Sequence, residues 1–314
     1  MNKTIVSAYT GAIEFLRKLK FQILVRPFLW RKPKYDKKYA MSICGIFKNE
    51  ARFLKEWIEY HQLVGIDHFY LYNNDSADNY RDILQPYINM GLVTLIEFPG
   101  DCMQMKAYLD FYNRFVNETQ WVSFLDIDEF ICPNSHLNLK DWIKSYERFP
   151  VILIYWKMFG TSGLMKHDDT KLVIEQYHVC WNSFYHVGKC LFNTDYEIAN
   201  KNAFWPHEPV ILYPFLWWHI KVYPVNQFKK SSIFELSKNK TSIEYNPSIQ
   251  INHYWSKAWD IYDGKRQSAS DGYYKNNPKR KLSYFLGHEH KNCSTDYNIY
   301  KYVMQLKLKM KGVE

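Results

Sequence analysis

Short apolar runs alternate with amphipathic segments over the first 130 residues of the chain. The apolar runs lie at 41–47, 68–72, 93–98 and 121–125. Between them, apolar residues recur at the spacing of a helix that buries one face. This alternation predicts parallel strands joined by crossover helices, and strands that are apolar throughout indicate helices on both sides of the sheet. We therefore predict an α/β fold with a doubly wound, mostly parallel sheet.

Beyond residue 131 the pattern loosens, and residues 182–252 are rich in aromatic residues, Asn and Pro. One domain over residues 39–290 with an elaborated C-terminal half fits this better than two independent domains. A basic amphipathic segment (1–38) precedes this domain, and a basic helix (291–314) follows it. Each flanking segment is expected either to lie on a bilayer surface or to pack on the domain as an ordinary surface helix.

The balance of charges restricts the partners of this protein. The 41 Lys and Arg residues exceed the 32 Asp and Glu residues, which gives a net charge of +9. Such an excess attracts anions such as nucleotides and acidic lipids. The sequence holds no nucleic-acid-binding motif, so we expect no nucleic acid partner.

The cysteines and the length of the apolar runs indicate the cellular compartment of the protein. None of the six cysteines forms a C-x-x-C pair, which favours buried free thiols in a reducing compartment over zinc sites or disulfides. No run reaches the roughly 18 apolar residues of a membrane span. We expect a cytoplasmic protein whose basic N-terminus is a candidate for peripheral contact with the anionic inner face of the cell membrane.

An acidic pair, Asp126 and Asp128, follows the fourth predicted strand. The carboxyl ends of strands are where open α/β sheets bind ligands. Because side chains alternate along a strand, we expect the pair on one face and Glu129 pointing elsewhere. Two carboxylates at an apolar edge repel each other unless a cation lies between them, and Mg²⁺ or Mn²⁺ that also contacts phosphate oxygens fits this arrangement. A solvated acidic turn is the alternative.

Polar residues also follow the first two predicted strands, at the same edge of the sheet. They are Lys48 and Glu50 after the first strand, and Asn74 and Asp75 after the second. Such side chains suit hydrogen bonds to the ribose and base of a nucleotide. Capping and turn chemistry explains Asn74 at least as well.

His253 and Lys257 lie in an aromatic segment of the second half. A neutral imidazole is a common ligand of Mn²⁺-like metals, and a lysine beside it would neutralise a departing diphosphate. A single histidine among aromatic residues is more often structural. Trp156, before a Gly-containing loop, offers a ring on which a sugar could stack.

Seven stretches of the chain together resemble glycosyltransferase family 92, a family of the GT-A fold that is similar to glycosyltransferase family 2. They occur in family order at Cys44–Glu50, Glu56–His61, Tyr72–Ser76, Pro86–Ile88, Asp126–Phe130, Phe159–Gly163 and Asn252–Tyr254. The resemblance implies a GT-A type fold and a UDP-sugar donor, often UDP-galactose. It also implies transfer with inversion to a glycan or glycolipid, such as a bacterial surface polysaccharide.

The resemblance also implies roles for particular residues. Asp126 and Asp128 become the metal-binding pair for Mn²⁺ or Mg²⁺, Asp126 also meets the donor, and His253 becomes the third ligand. Lys189 matches a lysine position of the family and is expected to face the phosphates. Lys106 completes the set of donor-binding candidates.

The catalytic base is expected in the variable half, which should meet the acceptor. Glu208 and Asp168 are the candidates, since a carboxylate should deprotonate the attacking hydroxyl.

Two other functions remain open from the sequence. A metal-dependent phosphotransferase would need its aspartate pair after the first strand, whereas the pair here follows the fourth. A non-catalytic module that binds carbohydrate or a membrane surface would not need a divalent ion.

Overall fold

The computed structural model describes residues 19, 23, 32–199, 206–207, 209–215, 218–229, 247–267 and 281–312. Most of the amphipathic segment predicted at 1–38 lies outside the described residues, as does the candidate base Glu208.

The first half of the chain forms the predicted alternation of strands and helices. Its elements are β1 (Tyr39–Phe47), α1 (Ala51–Leu63), β2 (His68–Asn73), α2 (Tyr80–Asn89), β3 (Val93–Glu97), α3 (Gln104–Phe115), a 3₁₀ turn (Val116–Glu118) and β4 (Thr119–Phe124). The four strands are parallel and lie in the order β3-β2-β1-β4. The winding reverses at β1, which creates a topological switch point between β1 and β4, the usual position of a ligand in such a sheet.

The second half extends the same sheet with strands of both directions. They are β5 (Glu129–Pro133), β6 (Val151–Met158), β8 (Gly188–Asn193) and β13 (Ile249–His253). The sheet continues from β4 in the order β8-β6-β13-β5, with β8 antiparallel to both neighbours and β5 antiparallel to β13. The ends of β1, β4, β6 and β13 therefore meet the starts of β5 and β8 at one edge. The predicted α/β class with a doubly wound, mostly parallel sheet is confirmed.

Smaller elements surround this sheet. They are α4 (Leu139–Ile143), α5 (Val173–Gln176), β7 (Val179–Trp181), β9 (Glu197–Ile198), β10 (Ile211–Phe215), β11 (Trp218–Val222), β12 (Val225–Asn226), α6 (Trp259–Gln267), α7 (Leu282–Glu289), β14 (Asn292–Thr295), a 3₁₀ helix (Asn298–Tyr302) and α8 (Val303–Met310). Strands β9, β10 and β11 form a separate antiparallel sheet, and β12 pairs with β6.

The C-terminal segment packs into the same core as the main sheet. Strand β14 pairs with β7, and Tyr302 and Leu306 are buried in the hydrophobic cluster. On the outer face, Nζ of Lys307 lies 2.6 Å from Glu175, and Nζ of Lys309 lies 2.9 Å from Glu59. In its described part, this segment therefore packs on the domain, which was one of the two expectations. None of the described helices is long and apolar enough to cross a membrane.

Gly188 allows β8 to enter the sheet close to β6. A Cβ atom built on Gly188 would overlap the carbonyl oxygen of Ile154 in β6, so any other residue would push the two strands apart. The next residue, Lys189, pairs with Ile154 in the register of the sheet. The missing side chain of Gly188 therefore fixes where Lys189 enters the interior.

We predict that Gly188→Ala lowers the free energy of unfolding by at least about 2 kcal/mol, because overpacking a rigid backbone contact forces the strands to shift. Gly287→Ala in α7 is the matched control, since its Cβ would meet open space and alanine favours a helix. The control should be neutral or stabilising by up to about 1 kcal/mol. Urea unfolding of both variants measures the difference, and equal effects would contradict this account of Gly188.

Candidate active site

Asp126 and Asp128 lie in the turn that connects β4 to β5. Two backbone hydrogen bonds anchor this turn: Leu125 N donates to Cys44 O (3.1 Å), and Tyr254 N donates to Asp128 O (2.8 Å). The strand ends at Phe124, so the alternation of side chains does not extend to the acidic pair. The expectation that Glu129 points away from the pair is wrong: its Oε2 accepts a hydrogen bond from Asp126 N at 3.1 Å.

A buried lysine joins Asp126 to Glu129. Nζ of Lys189 lies 3.1 Å from Oδ2 of Asp126 and 3.5 Å from Oε2 of Glu129. The lysine side chain is 1% exposed, Glu129 is fully buried, and Asp126 is 35% exposed. Burial opposes the charge on Lys189, but Asp126 and Glu129 outweigh it and raise the pKa of the lysine above its usual range. This ammonium is therefore a permanent cation beneath the turn.

The first two turns of α3 hold the other oxygen of Asp126. Gln104 Nε2 donates to Asp126 Oδ1 at 2.7 Å, and Tyr108 OH donates to the same atom at 3.4 Å. Gln104 and Tyr108 are four residues apart, so one face of the helix presents both to the turn. Sequence reasoning missed both residues, and the only signal was their spacing at the helix start.

Asp128 belongs to a second group of charges. Its Oδ1 lies 3.5 Å from Nε2 of His253, and its Oδ2 lies 3.7 Å from Nζ of Lys265. The same lysine lies 2.8 Å from Oε1 of Glu50. Burial alone would raise the pKa of Asp128, but Lys265 and His253 outweigh burial and hold that pKa well below its usual range. Asp128 is therefore an anion held next to a histidine.

The second group contains four buried polar atoms that form no hydrogen bond within the described part of the chain. Among the described residues, Asp128 Oδ1, Glu50 Oε2, His253 Nδ1 and Lys257 Nζ are buried and form no hydrogen bond. Burying polar atoms without partners is costly, so each such atom needs an explanation, and a role in catalysis or ion binding is one. The group is therefore prepared to bind a polar ligand.

Lys257 is the most unusual member of this group. It is 1% exposed, its Nζ lies 4.4 Å from the centre of the Phe53 ring, and its backbone has φ 52°. A left-handed backbone is rare outside glycine and asparagine and costs free energy. Burial, reinforced by Lys265, lowers the pKa of Lys257 from 10.5 to about 8, although Glu50 and Asp128 oppose that change.

Aromatic rings border the two groups of charges. The ring of Trp156 lies 4.6 Å from that of His253 and 5.1 Å from that of His207. His207 donates through Nδ1 to Gly188 O at 2.7 Å, and burial lowers the pKa of His207 to about 3, so this ring is neutral. His207 was missed as a site residue, although its neighbour Glu208 was considered.

The other donor-binding candidates lie further out. Lys48 and Lys106 are exposed on the β1–α1 loop and on α3. Asn74 donates through Nδ2 to Phe98 O (3.1 Å) and Gly100 O (2.8 Å), and Asp75 Oδ2 accepts from Gly100 N (3.2 Å). Asn74 and Asp75 thus connect the loops after β2 and β3. Donor binding by these four residues stays a prediction.

Asp168, the candidate base within the described residues, is engaged in its own loop. Its Oδ1 accepts hydrogen bonds from the backbone N (3.0 Å) and the hydroxyl (2.6 Å) of Thr170, and its Oδ2 lies 3.6 Å from Lys171. These hydrogen bonds from Thr170 lower the pKa of Asp168. Its catalytic role stays a prediction.

The three residues predicted to bind a metal do not converge on one point. Asp126 is paired with Lys189, whereas Asp128 and His253 face each other. Within the described ranges, no three His, Cys, Asp or Glu residues are grouped closely enough to hold a metal as they stand. The described cysteines are all free, and Cys44, Cys132, Cys180 and Cys190 are buried.

Comparison with known proteins gives one family. The sequence model of Glycosyltransferase family 92 matches residues 37–260. A glycosyltransferase family 92 protein of Ricinus communis is 31% identical over 137 residues, which is 42% of this chain and 25% of the relative. A galactan beta-1,4-galactosyltransferase of Arabidopsis thaliana is 31% identical over 133 residues, which is 37% of this chain and 25% of the relative.

The chain thus spans about a quarter of the length of these curated relatives. Among solved structures, S. aureus TarS in complex with UDP is 18% identical. The overlap covers 41% of this chain and 38% of that chain with a TM-score of 0.31, which is too low to bear on function.

We predict that Lys189→Met lowers the free energy of unfolding by about 3 kcal/mol or more at pH 7, because Asp126 and Glu129 lose their buried counter-charge. Burial raises the pKa of Glu129. Protonation of Glu129 removes its need for a counter-charge, so the loss should shrink as the pH falls toward 5. Urea unfolding at both pH values measures this. Lys144→Met, which removes an exposed pair with Asp141, is the control and should change little.

We predict that the stability of the wild-type protein rises between pH 8 and pH 10.5 relative to Lys257→Met. The unfolded chain keeps the Lys257 proton up to about pH 10.5, whereas the folded protein keeps it only up to about pH 8. Unfolding therefore takes up a proton in this window, and stability increases with pH there. The difference should reach roughly 3 kcal/mol in denaturant unfolding. Lys106→Met, at an exposed position, should follow the wild-type curve.

Proposed function

This chain belongs to glycosyltransferase family 92. We propose that it transfers a sugar, with galactose as the first candidate, from a UDP-sugar to a glycan or glycolipid acceptor. The observation that carries the proposal is that Asp126, Asp128, His253 and two buried lysines lie, in two neighbouring groups, at the switch-point edge of the sheet. An edge with both signs of charge suits a ligand that combines a metal ion with a diphosphate. The galactosyltransferase named among the relatives supports galactose as the first donor to test.

We assign a divalent ion, Mn²⁺ or Mg²⁺, to Asp128 and His253. The donor set fits, because a carboxylate and an imidazole suit Mn²⁺ and the buried Oδ1 of Asp128 forms no hydrogen bond among the described residues. Asp126 contributes to the same edge, with Lys189 fixing its position. When bound, the ion would offset negative charge on the diphosphate of the donor.

The mechanism proposed for the protein is a single displacement with inversion. The acceptor hydroxyl oxygen forms a bond to the anomeric carbon while the bond from that carbon to the diphosphate oxygen breaks. Lys257 would stabilise the negative charge that develops on the leaving diphosphate, since its ammonium is buried without a hydrogen-bonding partner among the described residues. The hydroxyl proton passes to a carboxylate. Asp168 would have to leave Thr170 to accept it.

We predict that UDP and UDP-galactose raise the melting temperature of the wild-type protein in the presence of Mn²⁺ and do so less after EDTA. A ligand at a hundred times its Kd adds about 2.7 kcal/mol to stability. Asp128→Asn keeps the size of the side chain but removes its charge, so it should abolish the Mn²⁺-dependent part of the shift. Differential scanning fluorimetry with a panel of UDP-sugars measures both effects.

Asp141→Asn is the matched control, because Asp141 is exposed in α4 and pairs with Lys144. It should respond to UDP and Mn²⁺ as the wild-type protein does. Glycan binding without any response to UDP-sugars would instead favour a carbohydrate-binding module. Equal responses of Asp128→Asn and the wild-type protein would remove Asp128 from the site.

A further inference from the structure

The position of Lys265 has a consequence for metal binding, and this inference rests on the proposed function. We propose that Lys265 is an internal cation that competes with the divalent ion for Asp128 and Glu50. Binding of the metal would then release Lys265, and the released ammonium would be available to the diphosphate of the donor. Glu50 becomes a metal-binding residue together with Asp128 and His253.

The first support is the contact geometry of Lys265. Its Nζ lies 2.8 Å from Oε1 of Glu50 and 3.7 Å from Oδ2 of Asp128, so one ammonium bridges the loop after β1 and the turn after β4. Each carboxylate also has one oxygen that is buried and accepts no hydrogen bond from the described residues. The lysine therefore satisfies only half of the available oxygen atoms, and a cation with more ligands would use the rest.

The second support is the charge of the group. The group holds two carboxylates, Glu50 and Asp128, together with the ammonium of Lys265 and the buried ammonium of Lys257. A divalent cation added to this group would face two ammonium groups at short range in a poorly solvated site. One ammonium has to move away for the metal to bind tightly.

Lys265 is the ammonium that is able to move. Its side chain is 28% exposed and projects from α6, whereas Lys257 is 1% exposed and packs over Phe53. Lys257 Nζ is buried and donates no hydrogen bond to the described residues, so it is available to a polar ligand. Displacing Lys265 therefore frees a long, partly exposed side chain at the rim of the site. Metal binding and donor binding are coupled in this way.

The test is the Mn²⁺ affinity of Lys265→Met without nucleotide, measured by the electron paramagnetic resonance signal of free Mn²⁺. Removing the competitor should tighten Mn²⁺ binding at least tenfold. With Mn²⁺ present, the same variant should bind UDP several-fold more weakly than the wild-type protein. Lys307→Met is the matched control, because Lys307 is 35% exposed and lies 2.6 Å from Glu175 outside the site. It should leave both affinities unchanged.

Two further variants make the result decisive. Lys265→Gln tests the same competition if Lys265→Met does not fold. Glu50→Gln should weaken Mn²⁺ binding at least tenfold, both in the wild-type protein and in the Lys265 variant. Mn²⁺ binding by Lys265→Met or Lys265→Gln that is equal to or weaker than that of the wild-type protein would overturn the inference. If neither the wild-type protein nor any variant binds Mn²⁺ but all of them still bind UDP, the inference about Lys265 fails and the assignment of a UDP-sugar donor stands. Failure to bind UDP with or without Mn²⁺ would defeat the proposed function itself.

Discussion

The ammonium group of Lys189 lies in the interior of the sheet against Asp126 and Glu129. The fully buried carboxylate of Glu129 would not be tolerated there without it, because desolvated anions need a counter-charge. The lysine comes from an antiparallel strand that enters between β4 and β6, and it reaches that position only because Gly188 leaves room for the backbone of β6. The ion pairs of Lys189 thus support, from the interior, the turn that carries the acidic pair.

On this support, the site combines carboxylates and lysines in two neighbouring groups. One group is closed: Lys189, Gln104 and Tyr108 hold the carboxylate of Asp126. The other is open, with Asp128 and Lys257 keeping polar atoms that form no hydrogen bond among the described residues. The closed group fixes the position of Asp126, whereas the open group has buried polar atoms available to a ligand. Preorganised charge of this kind is what a reaction with a diphosphate leaving group requires.

Periodicity in the sequence was sufficient to predict β1 to β4, because buried parallel strands and their crossover helices repeat on a local scale. Local reasoning failed where the backbone leaves regular structure. Asn49, a residue type that commonly caps helices, precedes α1, but it has φ 57° and its Oδ1 accepts a hydrogen bond from Ala77 N, while Glu50 occupies the cap position. The sequence placed Asp126 and Asp128 at the correct edge. It could not show their different partners, since Lys189 and His253 arrive from strands that are distant in sequence.

The pairing of β5 with β13 joins segments more than a hundred residues apart, Glu129–Pro133 and Ile249–His253. Contacts of such sequence separation form late in folding, because the entropy of closing a long loop is lost before the contacts contribute stabilising free energy. During synthesis on the ribosome, the acidic turn emerges long before His253, Lys257 and Lys265 exist. A nascent chain that has completed its first four strands therefore still lacks these three side chains, and the edge that carries the acidic turn is completed only late in synthesis.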